Sequence, residues 1–182
     1  YYEDHGPVDH PPVILLHHGL GSVQSWQAQL PALLEAGCRV IVYDRWGYGR
    51  STPRPALDLP NFTADVADLR ALLGYLDIPH AALVGHSDGG TLALYYAVQY
   101  PEQVACLVTI AAHIYVEPSI PPGVKAVGAQ FQHNARFRQG LRRLHGEQVE
   151  QTFHNWYDGW CTLEGVVWDM RPLLGGISCP AL

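Results

Sequence analysis

A serine that follows a short apolar run and stands between glycines is the residue of this chain best suited to do chemistry. The run at 81–84 leads into Gly-His-Ser-Asp-Gly-Gly at 85–90, and a second apolar stretch begins after Gly90. This pattern predicts a strand, a sharp turn that exposes the Ser87 hydroxyl, and a helix whose first N–H groups lie beside it. Such a hydroxyl can attack a carbonyl carbon. The alternative is an ordinary strand–turn–helix junction that contains a serine.

Strand and helix patterns alternate along most of the chain, which predicts an α/β fold with a mainly parallel sheet and flanking helices. The predicted strands are the apolar runs at 13–16, 39–43, 81–84 and 107–110, and the clearest predicted helices span 62–76 and 90–99. Ligands bind at the carboxyl ends of the strands in such sheets, which is where Ser87 is expected.

The pattern changes after residue 110, where three prolines precede two more polar, helix-like stretches near 124–144 and 147–160. We therefore expect a core at 1–116, a helical cap insertion at 117–170, and a return to the core at 171–182. The strand-like run at 177–182 is expected to start the next core strand, with the last core strands missing. The chain also opens without methionine, so we expect a piece of a longer product, truncated at the C-terminus and also at the N-terminus.

Composition narrows the classes of function. The chain has 182 residues, is 48% hydrophobic and 15% charged, and carries a formal net charge of −6, which argues against a nucleic-acid partner. It has no apolar run of 18 residues, so no membrane span is predicted. The four cysteines show neither C-x-x-C nor metal-ligand spacing, which favours a reducing, cytoplasmic location. The sequence implies no cofactor or metal and does not indicate an oligomeric state.

Four segments give the chain a resemblance to a known superfamily. They are HHGLGS at 17–22, DRWGYGRS at 44–51, GHSDGG at 85–90 and SCPAL at 178–182. In this order they resemble the α/β-hydrolases, in the cap-bearing branch of small-molecule serine hydrolases. Within that branch the chain is similar to the biphenyl-hydrolase-like (valacyclovir hydrolase) group, which includes an α-amino-acid esterase. The resemblance covers nearly the whole chain and implies an α/β-hydrolase core.

The resemblance also implies site residues. Ser87 is the expected nucleophile, and the backbone N–H groups of Leu20 and Asp88 are the expected oxyanion hole. The acid is normally an Asp after the strand that starts here at Pro180, and the base a His after the last strand, so both are expected beyond Leu182. Glu117 stands where some relatives carry the acid. The alternative is a surface carboxylate at the hinge of the cap.

None of the ten histidines is predicted to be the base. His86 neighbours Ser87, but adjacent side chains on a tight turn point in different directions. His113 follows a strand on the same side of the sheet, and we expect it to line the pocket, with a packing role as the alternative to catalysis. His17 and His18 are not expected to form a metal pair, because adjacent residues of an extended strand face opposite sides.

Asp88 also carries an indication of the substrate. A carboxylate directly after the nucleophile could attract a protonated amine beside the scissile carbonyl, as the resemblance to amino-acid esterases implies. The alternative is stabilisation of the first turn of the helix through its dipole. Trp156, with Phe153, Trp160 and Trp168, could line an acyl pocket or pack the cap onto the core.

The sequence thus predicts a serine hydrolase that cleaves ester bonds of small molecules through an acyl-enzyme on Ser87, with amide and α-amino-acid ester bonds also open. C–C bond hydrolysis and haloperoxidase-type chemistry use the same serine and remain alternatives. The expected acid and base are absent from these residues. A non-catalytic binding protein of this fold is therefore the competing class, and the 182 residues by themselves are expected to be inactive or unstable.

Overall fold

The computed structural model describes residues 1–163 and 167–182, which contain one five-stranded sheet. The strands are β1 (Tyr2–His5), β2 (Pro12–Leu16), β3 (Arg39–Tyr43), β4 (Ala81–His86) and β5 (Val104–Ile110). They lie in the order β1-β3-β2-β4-β5, with β1 antiparallel to β3 and the other neighbours parallel. The predicted α/β class with a mainly parallel sheet is confirmed, whereas β1 was not predicted.

Six helices flank or follow this sheet in the described residues: α1 (Leu30–Glu35), α2 (Thr63–Tyr75), α3 (Asp88–Gln99), α4 (Ile120–His133), α5 (Ala135–His145) and α6 (Val149–Cys161). Short 3₁₀ turns lie at Val23–Trp26, Pro101–Gln103, Gly146–Gln148 and Arg171–Gly176. None of the helices in the described part of the chain is long and apolar enough to cross a bilayer.

Both faces of the sheet are covered, which explains why its central strands are continuous apolar runs. Successive side chains of a strand point to opposite faces. Ile14 and Leu16 of β2 pack in one buried cluster with side chains of α2 and α3. Val13 and Leu15 pack in a second cluster with Trp26 and side chains of α1. The two clusters hold α3 and the loops that follow β2 and β4 in fixed positions.

Several boundaries differ from the predicted ones. β4 extends to residue 86 and α3 begins at Asp88 rather than at Gly90, so that Ser87 by itself joins them. β5 begins at residue 104 rather than at 107. The stretch predicted at 124–144 is two helices, because Asn134 has an extended backbone there and its side chain accepts a hydrogen bond from the N–H of Phe137 at 3.1 Å. Asparagine is a preferred N-cap, so it starts α5 instead of continuing α4.

The end of the chain returns to the sheet beside β5. A parallel bridge joins Leu107 to Ala181, and the N–H of Thr109 donates to the carbonyl of Leu182 at 2.8 Å. Tyr115, where the chain leaves the core, and Asp169, where it returns, form an antiparallel bridge. The two connections to the core therefore lie next to each other. Helices α4 to α6 lie between these points. The cap boundaries at 117–170 stay a prediction, and residues 164–166 of that range lie outside the described residues.

Candidate active site

Ser87 joins β4 to α3 in one sharp turn. Its φ of 53° and ψ of −120° are a conformation that residues other than glycine rarely adopt, and its N–H donates to the carbonyl of Ile110 at 2.8 Å. The flanking glycines have no room for a side chain. A Cβ on Gly85 would overlap the carbonyl of Gly89, and a Cβ on Gly89 would overlap that of Leu16. The G-x-S-x-G spacing therefore lets α3 pack directly against the ends of β2 and β4.

A cavity of about 290 Å³ borders Ser87. Helices α4 and α6 supply most of its other lining. The lining residues are Ser87, Asp88, His113, Ser119, Ile120, Gly123, Val124, Val127, Trp156 and Trp160. The structure thus brings four residues predicted for the site, Ser87, Asp88, His113 and Trp156, to one cavity of a size that suits a small ligand.

His113 is held at the edge of this cavity by its own backbone. The hydroxyl of Thr91 donates to the His113 carbonyl at 2.7 Å and accepts from the His113 N–H at 3.1 Å. Its ring meets the Trp160 indole edge to face, with centroids 5.1 Å apart. Burial lowers the pKa of His113, against the opposing charge of Glu117, so the imidazole is neutral at pH 7. Glu117 itself accepts a hydrogen bond from the Ser119 hydroxyl at 3.3 Å.

The Asp88 side chain is 2% exposed, and its Oδ2 accepts no hydrogen bond in the described part of the chain. Nη2 of Arg45 lies 3.8 Å from that oxygen. Burial raises the pKa of Asp88 to about 6, and the opposing effects of the Arg45 charge and the nearby Trp160 N–H are smaller. A Cβ on Gly19 would lie 2.7 Å from Oδ2 and would overlap the Trp156 indole, so the loop after β2 meets both residues.

Arg45 connects Asp88 to a row of alternating charges that is buried as far as Arg54 and reaches solvent at Asp58. Arg45 donates to Asp65 at 3.2 Å, and Asp65 also accepts from Arg54 at 2.8 Å. Arg54 in turn donates to Asp58 at 3.0 Å. When all are ionised, three carboxylates and two guanidinium groups leave one net negative charge, and Asp88 is the end of the row that borders the cavity. Sequence patterns do not identify this row, although Arg45 stands in the DRWGYGRS segment directly after β3.

Neither of the two backbone N–H groups predicted for the oxyanion hole donates a hydrogen bond within a described helix or strand. The N–H of Leu20 points to Nδ1 of His18 at 3.4 Å, which is long for a hydrogen bond. Asp88 is the first residue of α3, so its N–H has no partner within the helix. The carbonyl of Leu20 lies 3.1 Å from Nε2 of His145, a contact that no sequence pattern indicates.

The other histidines near the site are engaged elsewhere. His86 packs its ring against that of His18, with centroids 5.3 Å apart, and both line a separate cavity that does not include Ser87. Nδ1 of His17 donates to the His18 carbonyl at 2.8 Å, and its Nε2 accepts from the N–H of Arg45 at 3.1 Å. In the described ranges, the Ser87 hydroxyl has no hydrogen bond to a base, and no three His, Cys, Asp or Glu side chains cluster as metal ligands.

Of the four aromatic residues considered for the pocket wall, Trp156 and Trp160 line the cavity. Phe153 instead stacks on Phe131, with ring centroids 3.7 Å apart and planes within 3°. Trp168 lies in the main core, where its indole N–H donates to the hydroxyl of Tyr95 at 2.9 Å. Helical spacing could not separate these roles, because α6 presents aromatic side chains both to the cavity and to α4.

This sheet order, with a serine on a strained strand–helix turn, defines a hydrolase-type fold. The family model described as "alpha/beta hydrolase fold" matches residues 11–170, and the chain belongs to that family. The chain is 47% identical over 114 residues to the putative carbamate hydrolase RutD of Variovorax paradoxus, a match that covers 62% of this chain and 42% of that protein. It is 33% identical over 193 residues to the serine hydrolase BPHL of Homo sapiens, covering 100% of this chain and 64% of that protein.

Among solved structures, one from a study of carboxylesterases of the thaumarchaeon Nitrososphaera gargenis superposes with a TM-score of 0.78 at 22% identity. The superposition covers 100% of this chain and 74% of the esterase-study chain. At 22% identity this likeness shows the fold alone. The chain spans less than two thirds of the length of the two curated relatives described above.

Proposed function

We propose that the protein is a serine hydrolase that cleaves ester bonds of small molecules through an acyl-enzyme formed on Ser87. The strained Ser87 turn at the edge of the 290 Å³ cavity carries this proposal. A backbone conformation of this kind costs about 1–3 kcal/mol and persists where the surrounding structure imposes it, which is common at reactive residues. The similarity to proteins named as hydrolases supports the same class.

In the proposed reaction, the Ser87 oxygen attacks the ester carbonyl carbon while its proton passes to a general base. The oxyanion accepts hydrogen bonds from the backbone N–H groups of Leu20 and Asp88. The base then donates that proton to the leaving alcohol, and water releases the acid from Ser87. We propose that the base and its acid partner lie in sequence that follows Leu182, as the resemblance implies. The greater length of the relatives supports this placement.

The test compares two purified forms, the 182-residue chain and the chain continued through its own reading frame. Both are assayed with p-nitrophenyl acetate, butyrate and octanoate, each with a Ser87→Ala control. We expect the continued form to hydrolyse the short esters, Ser87→Ala to abolish turnover, and the 182-residue form to be at least ~10³-fold slower. Turnover that survives Ser87→Ala would overturn the assignment of the nucleophile.

Two other outcomes are informative. Brisk, Ser87-dependent turnover by the 182 residues would show that the base lies within them. A reading frame that closes at once, with ligand binding but no turnover, would favour the non-catalytic binding protein. All three chemistries depend on the same serine, so Ser87→Ala cannot separate them and the substrates must. Turnover of dienone acids would indicate C–C hydrolysis, and formation of peracid would indicate haloperoxidase-type chemistry.

We further propose α-amino-acid esters as the preferred substrates. Support comes from Asp88, whose buried Oδ2 accepts no hydrogen bond in the described residues and is the carboxylate end, beside the cavity, of a row of alternating charges. A substrate ammonium group would continue the alternation of charge. A hydrogen bond to a charged group contributes roughly 1.5–3 kcal/mol, or about 10-fold to 150-fold in kcat/KM.

The matched substrates are L-valine ethyl ester and ethyl isovalerate, which differ by the amine. We expect a preference of roughly tenfold or more for the amino ester, and we expect Asp88→Asn to remove it while it changes turnover of the neutral ester much less. If Asp88 serves only the helix terminus and Arg45, the two esters will have equal kcat/KM and Asp88→Asn will affect both alike.

A further inference from the structure

Helix α5 ends in a buried histidine that contacts two loops of the core. His145 is 3% exposed, its Nδ1 lies 3.0 Å from the N–H of Gly49, and its Nε2 lies 3.1 Å from the carbonyl of Leu20. A backbone N–H can only donate and a carbonyl can only accept. The ring is therefore the neutral tautomer with its proton on Nε2, which accepts at Nδ1 and donates at Nε2.

The described hydrogen bonds from Gln148 and the neighbouring helix α6 go to one of these two loops, whereas Phe153 and Trp156 of α6 make apolar contacts with the other. Four side chains spaced as one helix face donate to backbone carbonyls of the loop after β3, at residues 47–54. The contacts are Gln148 with Gly49 (2.8 Å) and Ser51 (3.0 Å), Gln151 with Arg54 (2.9 Å), Thr152 with Gly47 (2.8 Å) and Asn155 with Arg54 (2.8 Å). Among the described hydrogen bonds of this region, the one between His145 and Leu20 extends the attachment to the loop after β2.

We propose that His145 is a positioning residue that holds the Leu20 backbone in place for the oxyanion hole. The Leu20 side chain is buried in a cluster with Phe131 and Phe153, so it is anchored among the helices that follow residue 117. The hydrogen bond from His145 fixes the carbonyl of the same residue. Together the two contacts restrict rotation of the Leu20 backbone, whose N–H points to Nδ1 of His18 at 3.4 Å. This inference rests on the proposed function, because the direction of that N–H matters only if it receives an oxyanion.

A second proton on the ring would break this arrangement. It would occupy Nδ1 and face the N–H of Gly49, so that two donors would oppose each other. The titratable groups that face or surround the ring are Asp44, His17, His18 and Tyr48. Burial lowers the pKa of His145, and the Leu20 carbonyl and the Asp44 charge oppose this effect. Asp44 is itself engaged by the N–H groups of Val23 and Arg50, at 2.7 and 2.8 Å.

The kinetic test uses two variants of His145 and one control in the catalytically competent form of the protein. His145→Ala removes both hydrogen bonds, whereas the amide of His145→Gln offers one donor and one acceptor without titrating. Gln151→Ala is the control, because it loosens the same loop without contacting Leu20. We expect His145→Ala to lower kcat by roughly tenfold to 100-fold with KM changed less than about twofold. His145→Gln should recover most of kcat, and Gln151→Ala should retain it.

A second readout does not depend on activity. Nitrogen-detected NMR of the imidazole is expected to show the neutral Nε2–H tautomer of His145 at pH 7, and His145→Ala should shift the amide resonances of both Leu20 and Gly49. A protonated ring or an Nδ1–H tautomer at pH 7 would overturn the proposal whatever the kinetics show. So would equal kcat values for His145→Ala and Gln151→Ala in an active enzyme. If His145→Ala does not fold, a kcat for His145→Gln below one hundredth of the native value would also overturn it.

Failure of the proposed function gives a different pattern. In that case Ser87→Ala retains turnover, whereas the tautomer of His145 and the shift of the Leu20 amide are still observed. The two proposals can therefore fail separately.

Discussion

Replacing Asp88 by asparagine should change the stability of the protein by an amount that depends on pH. The side chain is 2% exposed, and burial raises its pKa from the ordinary value of 3.8 to about 6. The folded protein therefore binds the Asp88 proton more tightly than the unfolded chain does. The stability associated with this group is fully present below pH 3.8 and is lost as pH rises through about 6.

The size of the effect follows from the shift. Each pKa unit corresponds to about 1.4 kcal/mol, so a shift of about two units costs the ionised native state about 3 kcal/mol relative to the protonated one. Asparagine does not titrate. The attraction between Arg45 and the ionised Asp88 is already included in this shift, because the Arg45 charge lowers the pKa of Asp88. The stability of Asp88→Asn relative to the native protein should therefore rise by about 2 kcal/mol between pH 4 and pH 7, because the unfolded carboxyl is already partly ionised at pH 4.

The assay is urea unfolding followed by tryptophan fluorescence at several pH values from 4 to 7, with the slope m compared between proteins. Asp9→Asn is the control, because Asp9 is exposed, and its stability should stay within about 0.5 kcal/mol of the native protein at every pH. A stability difference between Asp88→Asn and the native protein that stays constant across this range would refute the reasoning. It would mean that Asp88 is solvated or fully neutralised by Arg45 in the folded state.

Two further predictions concern the turn that holds the nucleophile. Gly85→Ala should lower the free energy of unfolding by about 3 kcal/mol or more, because its Cβ meets the backbone carbonyl of Gly89, which cannot move without displacing α3. Gly74→Ala in α2 is the control: apart from its chain neighbours and the backbone of α2, no heavy atom of the described residues lies within 4 Å of its Cβ, and the change should be neutral or stabilising by up to about 1 kcal/mol. Ser87→Gly should stabilise the protein by about 1 kcal/mol relative to Ser87→Ala, because glycine adopts a φ of 53° without strain. Urea unfolding of each variant measures these effects, and equal stabilities of the two Ser87 variants would show that the turn is not strained.

Much of the fold could be predicted from short-range patterns. The apolar runs of β2, β3, β4 and β5 are continuous because both faces of the sheet are covered, and such runs stand out in a sequence. The strand β1 has no such signal, since Tyr2–His5 is an edge strand with alternately exposed residues. The sequence predicted one helix-like stretch at 124–144, whereas the structure has a break at Asn134. An asparagine inside a helical pattern caps a new helix only where the chain changes direction, and the pattern itself does not show that change.

The residues around Ser87 divide in the same way. Ser87, Asp88 and the loop of Leu20 are adjacent in the sequence to recognisable strand ends, and parallel strands bring those ends to one edge of the sheet. His145 and Gly49 are 96 residues apart, and Arg45 and Asp65 are 20 apart, with no periodicity that connects either pair. Their roles are long-range contacts, which sequence spacing does not encode.

The sequence by itself determined the fold class and the position of the strained serine turn, because both depend on local backbone geometry: apolar strands, glycines where side chains would collide, and a helix that starts at once. Only the tertiary structure decided the charge and surroundings of that turn. It buried Asp88 at the end of a charge row, put Trp156 and Trp160 rather than Phe153 and Trp168 at the cavity, and brought His145 against Leu20. Burial and electrostatic interactions depend on which distant segments pack together, and that is a property of the folded chain as a whole.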